Sequence, residues 1–235
     1  MASPKAFIHN LSLLFLGFVL ACGVLANANA ADSEEDDGVL MPVPSKFDEA
    51  PPVVVQVFAL SKCSDFKDFE VFFKPIYDQL VPIVTLVVDY IVDVEPSSPL
   101  GFTSKHGETE VLGDIVELCV QSIASEKFYD FVQCVDVNQE AIPNNVEECA
   151  KQIGIDEEAL DVCIASADGK TLLKQSSSAA SEAGAKWSPT VFIGGKEFCK
   201  YKLDCFQAQG PDFVDAICKA YQGERKPYLC HQVGK

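Results

Sequence analysis

The stretch that most constrains this chain is Val53–Phe66, VVVQVFALSKCSDF. Every residue of Val53–Leu60 except Gln56 is apolar, the mark of a strand covered on both faces. Cys63 follows in a turn, just ahead of a helix-patterned segment. At such a junction, unpaired backbone N–H groups and the helix dipole favour a thiolate. Within Asp65–Leu80, the residues Phe66, Phe69, Phe73, Ile76 and Leu80 recur at helical spacing and set one apolar face. Pro75 is expected to kink that helix or break it. A second strand, about Ile83–Val94, completes a β-α-β unit whose strands run parallel.

The residues ahead of this unit do not belong to the fold. Met1–Ala30 holds one Lys (Lys5), an apolar run Leu11–Ala26 and an Ala-x-Ala site at Ala28 and Ala30, with Ala26 as a rival cut. That is the build of a secretory signal peptide; a retained membrane anchor is the alternative, and the run is short for a span. Ala31–Pro52 begins acidic (Asp32, Glu34, Glu35, Asp36, Asp37) and then gains Pro and Ser, which reads as a disordered leader. The signal takes Lys5 with it, leaving 17 of the 18 basic residues against 35 acidic ones. Such a surface argues against nucleic acid and anionic membrane as partners.

Of the ten cysteines, Cys22 leaves with the signal. Cys63, Cys119, Cys134, Cys149, Cys163, Cys199, Cys205, Cys218 and Cys230 remain. Most should be half-cystines in an oxidising compartment, and the odd count leaves at least one thiol free or paired outside the chain. The connectivity and the oligomeric state stay open, including a covalent dimer through an odd cysteine. No C-x-x-C pair exists and only three His are present, so zinc is the weaker reading.

After a loop at Glu95–Lys105 comes a helix-patterned block, Glu108–Gly184. Helices are expected near Thr109–Ser125, Glu126–Val135, Asn144–Ile153, Asp156–Ala167 and Leu172–Ala183, with breaks at Pro143, Gly154 and Gly169. Strand character returns at Val191–Ile193, and Gly194-Gly195 turns the chain into Lys196–Cys199 as a hairpin. A last helix, about Asp212–Gln222, ends a domain begun at Val53, and Cys230 is expected to hold the tail Gly223–Lys235. The order is β-α-β, a helical insertion over about 108–184, then β-β-α.

That order, with Cys63 after the first strand and Pro189 before the third, resembles an α/β thioredoxin-like fold with inserted helices. Within that class the chain resembles the gamma-interferon-inducible lysosomal thiol reductase family. The family signature C-Q-H-G-x-x-E-C-x-x-N-x-x-x-x-C falls on Ser104–Cys119, where His106, Gly107, Glu110 and Cys119 match in register and Ser104, Lys105, Val111 and Asp114 depart. Ser188-Pro189-Thr190 and the following Gly195-Lys196 look like the family's S-P-T-x-x-x-N-G-K segment. The resemblance covers about Val53–Cys199. The family's nucleophile sits in a C-x-x-C pair, whereas this chain reads Cys63-Ser64-Asp65-Phe66. Cysteine is absent at both Ser104 and Val111, which preserves parity if those two positions are partners in the family.

The resemblance implies thiol–disulfide exchange with Cys63 as nucleophile and Pro189 as a cis-proline beside it, flanked by Ser188 and Thr190. Without a resolving cysteine at Phe66, release requires glutathione, free cysteine, a substrate thiol or another cysteine of this chain, and net reduction requires an external thiol; no bound cofactor is implied. The implied partners are proteins carrying disulfides, met in a secreted or endolysosomal setting. His106 either supports a thiolate or merely caps locally. Glu110 reads as a first-turn helix carboxylate, and Phe66 as a ring packed over Cys63. Cys63 as a half-cystine, and the whole chain as a redox-inactive binding or chaperone module, remain the competing readings.

Overall fold

The computed structural model describes residues 50–232. The expected signal peptide, most of the leader and the last three residues of the tail lie outside them. Strand β1, Val53–Ala59, is followed by helix α1, Ser64–Leu80, and strand β2, Val84–Tyr90. β1 and β2 pair in parallel from Val53↔Val84 to Ala59↔Tyr90. The cover expected on both faces of β1 reaches only its C-terminal half: Val57, Phe58 and Ala59 are buried, while Val54 is 43% exposed.

Pro75 does not break α1. It lies on the solvent side, where the carbonyl it deprives of a partner belongs to exposed Val71 and water can serve it. The opposite face is fixed by Phe69 and Phe73, whose rings stack at 5.5 Å. The second strand is also shorter than expected. β2 stops at Tyr90, and Asp93–Val94 (β3) pairs with Phe102–Thr103 (β4) as a separate two-stranded ladder.

The insertion consists of α2 (Glu108–Ile123), α3 (Phe128–Asp136), α4 (Val146–Ile153), α5 (Glu157–Ala165) and α6 (Ala167–Ala183). α2 is its axis, buried without interruption from Gly113 to Val120. Gly169 does not end a helix as its type suggested. A Cβ there would sit 2.8 Å from Ile115 Cγ2 and 3.4 Å from Cys119 Sγ, so this glycine lets α6 approach α2 closely. The actual break is Ser166, whose hydroxyl caps α6 by accepting from the Asp168 amide.

The chain then returns to the sheet as β5 (Thr190–Ile193) and β6 (Lys196–Lys200), joined by the Gly194-Gly195 turn. β5 runs antiparallel to β1, and the sheet order is β2-β1-β5-β6. Helix α7 (Tyr201–Gln207), which the sequence did not suggest, precedes α8 (Gly210–Ala220). Phe213 of α8 packs its ring 5.5 Å from Phe73 and 4.6 Å from Phe198. This is a mixed α/β thioredoxin-like fold. Cys119–Cys163 ties α2 to α5, Cys134–Cys149 ties α3 to α4, Cys199–Cys205 ties β6 to α7, and Cys218–Cys230 ties α8 to the tail.

Candidate functional site

β1 ends under the insertion, and the turn Ser61–Cys63 delivers Cys63 to the first position before α1. The Cys63 carbonyl starts the helix by accepting from the Phe66 and Lys67 amides at 3.0 and 3.1 Å. Cys63 is the free cysteine of the described residues and is only 7% exposed. Its Sγ lies 3.7 Å from the Ser188 carbonyl oxygen. The Ser188–Pro189 peptide is cis, and the loop carrying it is anchored twice. The Leu60 amide donates to Ser188 Oγ at 3.1 Å, and the Thr190 hydroxyl donates to the Trp187 carbonyl at 2.6 Å. β1 and β5 thus bring Cys63, Ser188, Pro189 and Thr190 together.

The turn is also held from the insertion, in a way the sequence concealed. Glu110 stands in the first turn of α2, as expected, but is wholly buried. Its Oε1 accepts from the Lys62 amide at 3.2 Å and meets His106 Nδ1 at 2.6 Å, while Oε2 accepts from the His106 amide at 2.9 Å and the Ser104 hydroxyl at 2.6 Å. One turn on, Asp114 Oδ1 accepts from the Ser61 amide at 3.0 Å. Burial pushes the Asp114 carboxyl well above its usual range, and the nearby Glu110 charge adds to this. α2 can come this close because residue 113 is glycine: a Cβ there would lie 2.6 Å from both Ser61 Oγ and Ile142 Cγ2.

A third hold comes from Gln139. Its amide nitrogen donates to the carbonyls of Cys63 at 3.1 Å and Ser61 at 3.3 Å, and also to Asp136 Oδ2 at 3.1 Å. Nothing in the local pattern around Gln139 signals this; the residue lies 76 positions from Cys63. Phe66 does not cover Cys63. Its side chain points inward, beside Val57, Leu86, Phe128 and Val132, because α1 turns that position toward the core.

Outside the thiol lies a cleft of about 490 Å³ walled by Lys62, Cys63, Ser64, Asp65, Lys105, His106, Thr109, Gln139 and Glu140. The Lys62 ammonium donates to the Glu140 and Ile142 carbonyls, each at 3.3 Å. A larger cleft of about 910 Å³ lies at the other end of β1, beside Pro51, Val54 and the Gly194-Gly195 turn, and shares no residue with the site. Among the described residues no cluster of His, Cys, Asp and Glu is disposed to hold a metal, and no helix is long and apolar enough to cross a membrane. The site can present one sulfur, beside a cis-proline edge, to a disulfide.

Fold and site together define a thioredoxin-like protein of the thiol–disulfide oxidoreductase class. The description "Gamma interferon inducible lysosomal thiol reductase (GILT)" matches residues 54–153, and a thioredoxin family matches residues 106–212. Over residues 54–153 the chain is similar to the GILT family, with Phe66 standing where that family's C-x-x-C has its second cysteine. Among solved structures it is similar to oxidised Mtb DsbA (TM-score 0.54, 20% identity, 77% of this chain and 89% of that one). BdbD from Bacillus subtilis follows at TM-score 0.53 and 18% identity, over 76% and 91% of the two chains. Reduced DsbG from Mycobacterium tuberculosis gives 0.52 and 19%, over 78% and 85%. At these identities the likeness concerns the fold. No curated protein matches the chain.

Proposed function

We propose that the protein exchanges disulfides of protein substrates through Cys63 alone, in the secretory pathway or an endolysosomal compartment. The observation that carries this reading is the placement of the free thiol, 3.7 Å from the Ser188 carbonyl at a cis Ser188–Pro189 peptide. The GILT match over residues 54–153 and four disulfides suited to an oxidising compartment support it.

The Cys63 thiolate attacks one sulfur of a substrate disulfide. A mixed disulfide forms, and the other substrate sulfur leaves as a thiolate. Phe66 offers no second thiol and points into the core, so resolution is intermolecular. A small thiolate such as glutathione or cysteine attacks Cys63 Sγ and expels the second substrate thiolate. A second small thiolate then attacks the small-molecule sulfur, frees Cys63 and leaves as the oxidised dimer. The net change is one protein disulfide reduced and two small thiols oxidised. When a second thiol of the substrate performs the resolving attack instead, the outcome is isomerisation. Pro189 and Ser188 form the edge along which substrate backbone lies beside Cys63.

The 7% exposure of Cys63 favours a second reading, a thioredoxin-fold binding module without turnover. Alkylation of the unreduced protein across pH 4–9, with peptide mass mapping, separates the two. The exchange reading expects one label, on Cys63, formed faster than with free cysteine at pH 6, and glutathione-dependent reduction of a protein disulfide that Cys63→Ser abolishes. An inert Cys63 overturns it in favour of the binding module.

A further inference from the structure

The insertion and the first helix meet over carboxyl groups. Glu70 on α1 and Asp136 on α3 are 1% and 2% exposed and within hydrogen-bonding reach of each other. Neither oxygen of Glu70 has a donor. Asp136 Oδ2 accepts from Gln139, and Oδ1 has no partner. α2 contributes Glu117 and Asp114, both buried, each with one unpartnered oxygen; Glu110 stands one turn before Asp114, bonded to His106 and Lys62. Tyr90 of β2 donates its hydroxyl to Glu117 Oε2. Tyr129 of α3 has already given its hydroxyl to the Glu70 carbonyl at 2.9 Å. The cation acting on Glu70 and Asp136 is Lys67, whose ammonium donates to the Val137 carbonyl at 3.2 Å.

Two ionised carboxylates here would set like charges side by side, out of water and short of donors. One proton removes a charge and supplies the missing donor: protonated Glu70 donates to the Asp136 carboxylate. We propose that this cluster is a proton-operated latch, in which protons on Glu70 and Asp136 hold α3 of the insertion against α1 in acid and their successive loss loosens α3 as the pH rises. Burial raises Glu70 well above the usual carboxyl range and pushes Asp136 up to about 6. Carboxyls raised on folding contribute stability that is complete below the unfolded value of about 4 and is lost as pH climbs through the folded one. Asp136 alone, raised to about 6, corresponds to about a hundredfold in the closed-to-open ratio between acid and neutral medium. Gln139 joins Asp136 to the carbonyls of Ser61 and Cys63, so release of α3 also slackens the turn that carries the thiol.

The test is amide hydrogen exchange over residues 128–137 of the disulfide-intact protein, with thermal melts, at pH 4.5, 6 and 7.5. Rates are corrected for intrinsic exchange. Protection in α3 should fall by about tenfold or more from the lowest pH to the highest, and Tm should fall with it. Glu70→Gln and Asp136→Asn keep the side-chain shape without the ionisation and should flatten both dependences. A wild-type protein whose α3 protection ignores pH overturns the proposal, and so does a Glu70→Gln protein with the wild-type slope. Should those variants fail to fold, carboxyl ¹³C NMR of the wild type decides: Glu70 protonated at pH 5.5 supports the latch, and Glu70 ionised there overturns it. Cys63→Ser should leave the pH dependence of these readouts unchanged, so the latch stands or falls apart from the exchange reading.

Discussion

Glu110→Ala tests whether a buried carboxylate of the insertion fixes the turn that presents Cys63. The wild-type carboxylate is wholly buried and faces four donors: the amides of Lys62 and His106, the Ser104 hydroxyl and the His106 ring. Truncation orphans all four at once. The His106 side chain is 36% exposed and the Ser104 hydroxyl can rotate, so water serves those two. The two backbone amides remain, and an unmet buried donor costs about 1–3 kcal/mol. Both amides are only partly buried, which places each toward the lower part of that range. The loss should therefore be about 2–4 kcal/mol, a large share of the ~5–15 kcal/mol that holds a domain together. Urea unfolding followed by far-ultraviolet circular dichroism reads it directly, with equal m-values as the control. Alkylation of Cys63 in the native state should accelerate in the same variant, because the neighbouring Lys62 amide has lost its acceptor. Glu110→Gln keeps one acceptor oxygen and should fall between. A Glu110→Ala protein within about 0.5 kcal/mol of wild type, the range of an ordinary surface substitution, refutes this account of the turn.

Removing the Cys119–Cys163 bridge by a double Ser replacement should lower stability by about 4 kcal/mol, from the 44-residue separation it closes; calorimetry of the oxidised proteins checks it, and an unchanged Tm would deny the bridge its role in fixing α5 to α2. Gly113→Ala should cost about 1–3 kcal/mol by overpacking, since its Cβ would meet Ser61 Oγ and Ile142 Cγ2 at 2.6 Å. The same change should also speed Cys63 alkylation, and a protein of wild-type stability and reactivity would show that α2 does not brace the turn.

The parts of the fold that follow from short-range pattern were legible in the sequence. The apolar run of β1, the Phe spacing of α1 and the Gly-Gly hairpin each write their structure into neighbouring residues. Cys63 and Pro189 were legible as a pair only through the resemblance to the thioredoxin plan, which sets a cis-proline against the cysteine that follows the first strand. What escaped was set by tertiary contact. Gly169 has the composition of a breaker, yet its service is to a neighbouring helix and a disulfide. Tyr201–Gln207 carries no capping signal, but follows β6 and is closed onto it by Cys199–Cys205. Gln139 reaches Cys63 across a gap no local window spans. The buried acids left one trace: Glu70 stands four residues after Phe66 and three before Phe73, on the apolar face of α1. A carboxylate at that register must be neutral, paired or at work.

The absence of a resolving cysteine and the grip of the insertion on the turn are linked. At position 66 the side chain faces inward, toward Phe128 and Val132 of α3, and Phe66 there is 2% exposed. That ring ties α1 to α3 where a thiol would contribute little apolar surface, and burying a Phe side chain stabilises by about 1.5–3 kcal/mol. The same α3 carries Asp136, which Gln139 bridges to the Cys63 carbonyl. The position that in a C-x-x-C protein completes the chemistry here strengthens the support beneath the remaining sulfur. On the exchange reading proposed above, Cys63 would then attack from a rigid bed with no free thiol beside it among the described residues, and its fate after attack would depend on which thiol reaches the cleft between Lys62, His106 and Gln139.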